Sequence, residues 1–148
     1  MAEIERTASA VWEVDLRSGN GRMSTPTSGV LKDAAFSFVT RFENKPGTNP
    51  EELIAAAHAG CFGMQLSGLL GKEGYQPESL QTSATVEMER RGAGFAVVGV
   101  RLEVEGQVPN IDEQTFKRIA EDAKNTCPVS KLLTPGLERM TVDARLKK

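Results

Sequence analysis

The chain has 148 residues, enough for one domain with its own hydrophobic core. Hydrophobic residues make up 39% and charged residues 26% of it, a composition that excludes global disorder. The net charge is -2, from 18 basic and 20 acidic residues that are well mixed along the chain, so a nucleic-acid partner is not expected.

The N-terminal stretch, MAEIERTASA, carries charges where a signal peptide needs an apolar core. No stretch is expected to reach the ~18 apolar residues of a membrane span. We therefore predict a cytoplasmic protein without membrane contact. In that reducing compartment, the two cysteines are expected to be inert buried thiols or chemically active ones, and not a permanent disulfide.

Alternation of apolar and polar residues predicts two strands in the first part of the chain, at residues 10–16 (AVWEVDL) and 36–42 (FSFVTRF). Between them, RSGNGR is typical of a turn, and residues 23–34 predict a short strand with a loop. The second strand would place Arg41 on the face that also carries Ser37 and Val39.

A helix is predicted to begin at Pro50, with Asn49 as its N-cap and Glu52 at the capping-box position, and to end near Leu70 before Gly71. Its residues are small nearly all round, which allows another helix or strand to approach closely. We expect a helix that is buried on most sides, as it would be against its twin in a dimer. The expected packing face carries Leu53, Ile54, Ala57, Cys61 and Gln65, with His58 at its edge.

The second half predicts a strand pair at residues 79–89 and 95–106, joined by a turn. An amphipathic helix over residues 110–126, a short helix that begins at Pro128 and a terminal strand over 137–146 follow. Antiparallel hairpins with few βαβ crossovers indicate an α+β fold with a long central helix, in a single domain of residues 1–148.

The chemistry of the chain centres on its two cysteines. Cys127 precedes Pro128 at a helix N-terminus, where backbone N–H groups favour a thiolate. Cys61 lies far along its helix and needs a cation if it is to be reactive. Arg41 is one candidate for that cation, and Glu51 or Glu52 is near enough in sequence to pair with it.

His58, the only histidine, is open to three interpretations: a base, a metal ligand or a packing residue, of which packing is favoured. A zinc site needs about four ligands, more than one histidine and two cysteines supply, so no metal is predicted. A Cys-x-x-Cys motif is absent, which excludes a thioredoxin-type site.

Two separate cysteine segments, TNPEELIAAAHAGCF and NTCPVSKLL, closely resemble the osmotically inducible protein C (OsmC) family, a sister group of the organic hydroperoxide resistance (Ohr) proteins. The likeness extends over almost the whole chain. It includes VWEVDLRSGNGRMST, TRFENKPGTNPEEL, GAGFAV and the terminal strand. The place of Arg41, just before GTNPEE, resembles OsmC proper more than the Ohr branch.

The resemblance implies an intertwined α+β homodimer with active sites at the interface. It implies a thiol-dependent peroxidase that reduces organic hydroperoxides, and hydrogen peroxide less well, without a bound cofactor. Cys61 would be the peroxidatic thiol, Cys127 the resolving thiol, Arg41 the thiolate stabiliser and Glu51 its salt-bridge partner. An external dithiol, notably a lipoyl group, would supply electrons. A peroxide-sensing module and a structural dimer with non-catalytic cysteines remain as alternatives.

Helix geometry adds one expectation about this site. Glu51 and Cys61 are ten residues apart, or roughly 15 Å along a straight helix. Either the helix is interrupted between them, or the Arg41–Glu51 pair serves the Cys61 of a partner chain, and we favour the second arrangement.

Overall fold

The structure, a computed structural model, describes residues 2–148. It is an α+β fold with two three-stranded sheets and one long helix. The described residues group into two compact units, one that ends at Leu53 and one from Ile54 to Lys148. The prediction of a single domain over residues 1–148 stays a prediction.

The first unit contains an antiparallel sheet of three short strands, β1 (Ser9–Glu13), β2 (Asn20–Ser24) and β3 (Ala34–Ser37). Gly21 of β2 pairs with Trp12 on one side and with Phe36 on the other. A side chain at Gly21 would lie 2.7 Å from the Trp12 ring and 2.5 Å from the Phe36 ring. Glycine is therefore required for the two aromatic rings to meet over the strand, with their centroids 5.4 Å apart.

The predicted strand over residues 36–42 is wrong in its second half. Only Phe36 and Ser37 belong to β3, and the chain then forms a short helix, α1 (Phe38–Phe42). Ser37 and Thr40 cap this helix reciprocally through a capping box, and the rings of Phe38 and Phe42 pack one helical turn apart with centroids separated by 4.9 Å. Local capping thus overrides the alternating pattern.

The long helix, α2 (Pro50–Lys72), is continuous and begins as predicted. The side chain of Asn49 accepts a hydrogen bond from the Glu52 N–H at 2.8 Å, which confirms Asn49 as the N-cap. After the helix, Gly74 adopts a positive φ of 88° that reverses the chain. The boundary between the two compact units falls within the first turn of α2.

Only one stripe of α2 is buried within the chain: His58, Phe62, Leu66 and Leu70. The expectation of a helix buried on most sides included a partner chain and stays a prediction. Within the single chain the buried stripe begins at His58, and none of the five residues of the expected packing face is buried. The spacing of four residues between the large apolar side chains explains which face is buried, because it aligns these side chains along one side of the helix.

By length and mean hydropathy, 1.4 over its most apolar window, α2 is apolar enough to cross a membrane. The expectation that no stretch approaches that limit was therefore wrong. A helix that packs in the core of a protein passes the same test, and α2 contributes Phe62, Leu66 and Leu70 to the buried core.

The second unit contains the sheet of β4 (Ser79–Arg91), β5 (Gly94–Gln107) and β6 (Arg139–Leu146), with β5 in the middle. The β4–β5 hairpin is antiparallel and turns at Gly92, as predicted. Strand β6 pairs with β5 in parallel, so the sheet contains one crossover connection. That crossover carries α3 (Glu113–Thr126), α4 (Pro128–Leu133) and a 3-10 turn at Thr134–Gly136.

The core of the second unit lies between this sheet and its helices. Strand β5 contributes the predicted face of Val98, Val100, Leu102 and Val104, all buried. Helix α3 contributes Phe116, Ile119, Ala120 and Ala123, as its helical spacing predicts. Cys127, at the end of α3, is part of the same buried cluster.

Candidate functional site

The two thiols meet within the second unit, although 66 residues separate them in sequence (127 - 61 = 66). Cys61 lies at the middle of α2 and is partly exposed, whereas Cys127 is 0% exposed. Both are free thiols, and Cys61 packs against the buried cluster that contains Cys127, near enough for Cys127 and the Val129 backbone to shift the pKa of Cys61. Two thiols held in one packed cluster are placed to form a disulfide without a large rearrangement of the fold.

The junction of α3 and α4 holds Cys127 in place. Cys127 ends α3 and is also the N-cap of α4, with Pro128 at the first helical position, as the sequence predicts. The Ser130 N–H donates to Cys127 Sγ at 3.3 Å, and the Cys127 thiol donates to Ser130 Oγ at 3.2 Å. The thiol therefore replaces the usual capping oxygen, which fixes its direction.

Burial raises the pKa of the Cys61 thiol above its ordinary value, and the neighbouring Cys127 raises it further. The hydrogen bond from the Val129 backbone opposes this rise. These contacts keep Cys61 in its thiol form at neutral pH. A reactive thiolate at this position needs a cation in addition to them.

His58 lies fully buried on the same helix as Cys61. Its Nε2 is 2.7 Å from Ser130 Oγ, and its Nδ1 has no hydrogen-bond partner among the described residues. Burial lowers the pKa of His58, so the imidazole is neutral at physiological pH. The favoured interpretation as a packing residue fits its burial but does not account for the polar contact.

Ser130 is a residue of this cluster that sequence reasoning did not single out. It is 1% exposed and its hydroxyl contacts both Cys127 and His58. Its place three residues after an N-cap cysteine, where a backbone N–H points back to the cap, was the available signal. The partner on α2 is revealed only by the fold.

Arg41 and Glu51 form an ion pair within the first unit, as predicted. Arg41 donates from Nε to both carboxylate oxygens of Glu51, at 3.1 and 3.2 Å, and from its terminal nitrogen to Oε1 at 2.7 Å. Arg41 lies in the last turn of α1, so its expected place on a strand face is wrong. Glu51 follows Pro50 in the first turn of α2.

The exposure of the Arg41–Glu51 ion pair indicates how much it contributes to stability. The Arg41 side chain is 39% exposed and that of Glu51 is 12% exposed. An ion pair in contact with solvent stabilises a fold by about 1 kcal/mol or less, so the contribution of this pair to stability is small. The fork of hydrogen bonds instead holds the guanidinium in one orientation.

A cavity of about 290 Å³ opens beside Arg41 in the first unit. Its lining is mainly apolar and aromatic: Trp12, Leu16, Phe36, Ser37, Phe38, Arg41 and Phe42. One charged group in an otherwise apolar cavity favours a small molecule with an apolar body and one polar end. Among residues 2–148, no group of three or more histidine, cysteine, aspartate and glutamate side chains is placed to hold a metal ion.

Comparisons with known proteins agree with this geometry. The family model described as OsmC-like protein matches residues 42–139, a range that includes Glu51, Cys61 and Cys127 and begins one residue after Arg41. Peroxiredoxin OsmC of Escherichia coli (strain K12) is 46% identical over 144 residues, which cover 97% of this chain and 98% of that protein. Organic hydroperoxide resistance protein OhrB of Bacillus subtilis (strain 168) is 28% identical over 136 residues, 91% of this chain and 94% of that protein.

Solved structures show the same fold. The crystal structure of OhrB of Bacillus subtilis superposes with a TM-score of 0.69 at 24% identity and covers 95% of this chain and 98% of its own. That of an organic hydroperoxide resistance protein from Elizabethkingia anophelis has a TM-score of 0.66 at 22% identity and covers 97% of this chain and 99% of its own.

Proposed function

Since the chain belongs to the OsmC family, we propose that it is a cysteine-dependent peroxidase that reduces organic hydroperoxides, and hydrogen peroxide less well. The observation that carries this proposal is the placement of a partly exposed thiol, Cys61, against the buried cluster that contains a second thiol, Cys127. Relatives named for peroxiredoxin activity and for organic hydroperoxide resistance support it.

The proposed reaction begins at Cys61, the thiol that a peroxide can reach. Its thiolate attacks one peroxide oxygen, the O–O bond breaks, and the other oxygen leaves as an alkoxide that takes up a proton. Cys61 becomes a sulfenic acid. Cys127 condenses with it to form a disulfide and water, which protects Cys61 from further oxidation.

An external dithiol then restores both thiols by exchange. A lipoyl group is the proposed donor, and no bound cofactor takes part. A cytoplasmic location is the proposed setting, because the cycle requires a reducing compartment in which the disulfide is transient.

Arg41 is the proposed stabiliser of the Cys61 thiolate. Contacts within the second unit raise the pKa of Cys61, so a cation has to offset them. A guanidinium held in one orientation by Glu51 can lower the thiol pKa and also stabilise the charge that develops on the leaving oxygen.

The Arg41–Glu51 pair is proposed to act on the Cys61 of a second copy of the chain. Within one chain, α2 runs without interruption through both Glu51 and Cys61, ten residues apart, and such a helix rises by about 15 Å over that length. A two-fold dimer in which each chain supplies the ion pair to its partner removes this separation.

Exposed apolar side chains support the homodimer. All five residues of β1 are exposed, and Val14, Leu16 and Met64 are 77%, 63% and 79% exposed. On α2, a side chain added at Gly60 or Gly68 would meet nothing within 4 Å. Exposed apolar groups, and on α2 a face of small residues, fit close packing against a second copy.

The cavity beside Arg41 supports an organic substrate. Aromatic side chains can pack against an alkyl or aryl group, while Arg41 stands where a polar hydroperoxide end would be placed. Hydrogen peroxide has no apolar group to fill such a cavity, which is the proposed reason for its slower reduction.

A steady-state assay tests the proposed function. Purified protein with dihydrolipoamide should consume cumene hydroperoxide catalytically, and hydrogen peroxide with a lower kcat/KM. A peroxide sensor would be oxidised once and then stop, and a structural dimer would consume none. Either of these results, with both thiols shown to be reduced at the start, would contradict the proposal.

A further inference from the structure

Three buried side chains form a chain of hydrogen bonds that begins at the second thiol: Cys127, Ser130 and His58. We propose that Ser130 and His58 are a proton relay for Cys127, which takes the proton of the resolving thiol when the disulfide closes and returns it when the disulfide opens. This inference rests on the proposed function, because it assigns roles in the same cycle.

The hydrogen bonds give a path from Cys127 to His58 in the His58 tautomer that carries its hydrogen on Nδ1. The Cys127 thiol donates to Ser130 Oγ at 3.2 Å, which leaves the hydroxyl hydrogen of Ser130 free to donate elsewhere. His58 Nε2, 2.7 Å from the same oxygen, is placed to accept it. The imidazole then carries its own proton on Nδ1.

The surroundings of His58 suit a proton acceptor better than a packing residue. His58 and Ser130 are 0% and 1% exposed, and Nδ1 of His58 has no partner among residues 2–148. An unsatisfied polar atom in the core costs stability, which an apolar side chain of similar size would avoid. Burial lowers the pKa of His58, so a neutral imidazole is available to accept a proton.

When the disulfide closes, Cys127 Sγ attacks the sulfenic sulfur of Cys61. The S–S bond forms, the S–O bond of the sulfenic acid breaks, and the sulfenic sulfur is reduced while that of Cys127 is oxidised. The thiol proton of Cys127 passes to Ser130, and the Ser130 hydroxyl proton passes to His58. Hydroxide leaves Cys61 and takes a proton from solvent, the imidazolium releases one, and the net products are the disulfide and one water.

When the disulfide opens, the difference in exposure decides which sulfur is attacked. Cys127 is fully buried and Cys61 is partly exposed, so the thiolate of an external dithiol reaches Cys61. The S–S bond breaks and Cys127 leaves as a thiolate, which the Ser130 N–H stabilises from 3.3 Å. His58 then takes up a proton from solvent and passes one through Ser130 to Cys127, which yields the neutral thiol, and the second thiol of the donor releases Cys61.

The test separates the two oxidative steps. Full-length protein is mixed with one equivalent of cumene hydroperoxide, quenched at intervals with an alkylating reagent and analysed by mass spectrometry. Ser130→Ala and His58→Gln should each slow disulfide closure about 100-fold or more relative to the preceding oxidation of Cys61. His58→Gln keeps a polar side chain of similar length in the cavity, which guards against simple loss of folding.

The pH profile distinguishes a relay from a structural role. Cys127 is faced by two titratable groups of α2, Cys61 directly and His58 through Ser130. With the relay intact, closure should vary little above the lowered pKa of His58. Without it, Cys127 must ionise unaided, so closure in Ser130→Ala should accelerate about tenfold per pH unit below the thiol pKa.

Thr134→Val is the matched control. Its hydroxyl donates to the Ser130 carbonyl at 2.6 Å and makes no contact with the relay itself, so its removal should loosen α4 without changing the pH profile of closure. Wild-type closure rates in Ser130→Ala or in His58→Gln would overturn the relay, as would the same flat profile in all variants. Failure of the wild-type protein to form any sulfenic acid would instead contradict the proposed function.

Discussion

The two compact units differ in the burial and charge of the ionisable groups of the candidate site. In the second unit, Cys127 and His58 are fully buried, and burial raises the pKa of Cys61 and lowers that of His58. In the first unit, Arg41 keeps contact with solvent and holds its charge against Glu51. Burial thus favours the neutral forms of the groups around the thiols, while the charged group stands elsewhere in the sequence.

This difference suggests a division of work in the proposed peroxidase. Neutral, buried surroundings protect a thiol from side reactions, but they suppress the thiolate that attacks peroxide. An oriented guanidinium supplies the missing charge. Each of the following variants changes either the thiols of the second unit or Arg41 and the cavity of the first unit.

Cys61→Ser removes the only proposed oxygen acceptor and should have the largest effect. We expect a loss of peroxidase turnover of at least about a thousandfold, because a serine hydroxyl is not ionised at neutral pH and cannot form a sulfenic acid. The measurement is consumption of cumene hydroperoxide with dihydrolipoamide. Cys127→Ser is the comparison: it should still react once and leave a sulfenic acid that dimedone traps. Retention of turnover by Cys61→Ser would refute the proposed mechanism.

Arg41→Ala removes the proposed thiolate-stabilising cation, which lies in the first unit. The pKa of Cys61 should rise further, so the thiolate fraction at neutral pH falls and the peroxide step slows about 10- to 100-fold. The loss should diminish as the pH is raised towards the new thiol pKa. The rate of Cys61 alkylation as a function of pH measures the shift.

The matched control for Arg41→Ala is Arg22→Ala, which breaks another ion pair of the first unit, with Glu13 at 2.8 Å. It should leave the alkylation profile unchanged. An unchanged midpoint in Arg41→Ala as well would show that another group activates the thiol.

A mixture of two defective variants tests whether Arg41 and the Cys61 that it activates come from different chains. If Arg41 serves the Cys61 of a partner, co-refolded Cys61→Ser and Arg41→Ala chains form heterodimers with one complete site. Half of the dimers in an equal mixture would be of this kind, so activity should return to about a quarter of the wild-type value. Heterodimers that form but stay inactive would show that Arg41 acts within its own chain.

Phe38→Ala, in the lining of the cavity of the first unit, should have the smallest effect. Loss of one aromatic contact should raise KM for cumene hydroperoxide about three- to tenfold and leave the reduction of hydrogen peroxide unaffected. Phe95→Ala, at an aromatic ring of β5 that is 44% exposed, is the control. A parallel loss with both peroxides would argue against substrate binding in this cavity.

The two units also differ in how far the sequence predicts them. In the second unit, alternation along β5 and helical spacing along α3 agree with the burial that the structure shows, because these elements are long and each packs one face against the core. In the first unit, the pattern of residues 36–42 predicts a strand, but the reciprocal cap between Ser37 and Thr40 starts a helix after two residues. Short elements are decided by such local hydrogen bonds.

The candidate site, too, is predicted only in part from the sequence. The pairing of Cys61 with Cys127 follows from a family resemblance and stays a prediction, and the fold places Cys61 against the buried cluster that contains Cys127. The contact of His58 with Ser130 joins α2 to α4, which no local pattern predicts. Parallel pairing of β6 with β5 is equally non-local, since a crossover over α3 and α4 has to bring the strands together.

Single-equivalent oxidation followed by peptide mapping tests the central claim most directly. Reduced wild-type protein is treated with one equivalent of cumene hydroperoxide in the absence of any external thiol, the remaining thiols are alkylated, and the peptides are analysed by mass spectrometry. The account predicts one disulfide per chain, between Cys61 and Cys127 of the same chain. Alkylation of Cys61 at its original level, or disulfides found only between chains, would contradict it.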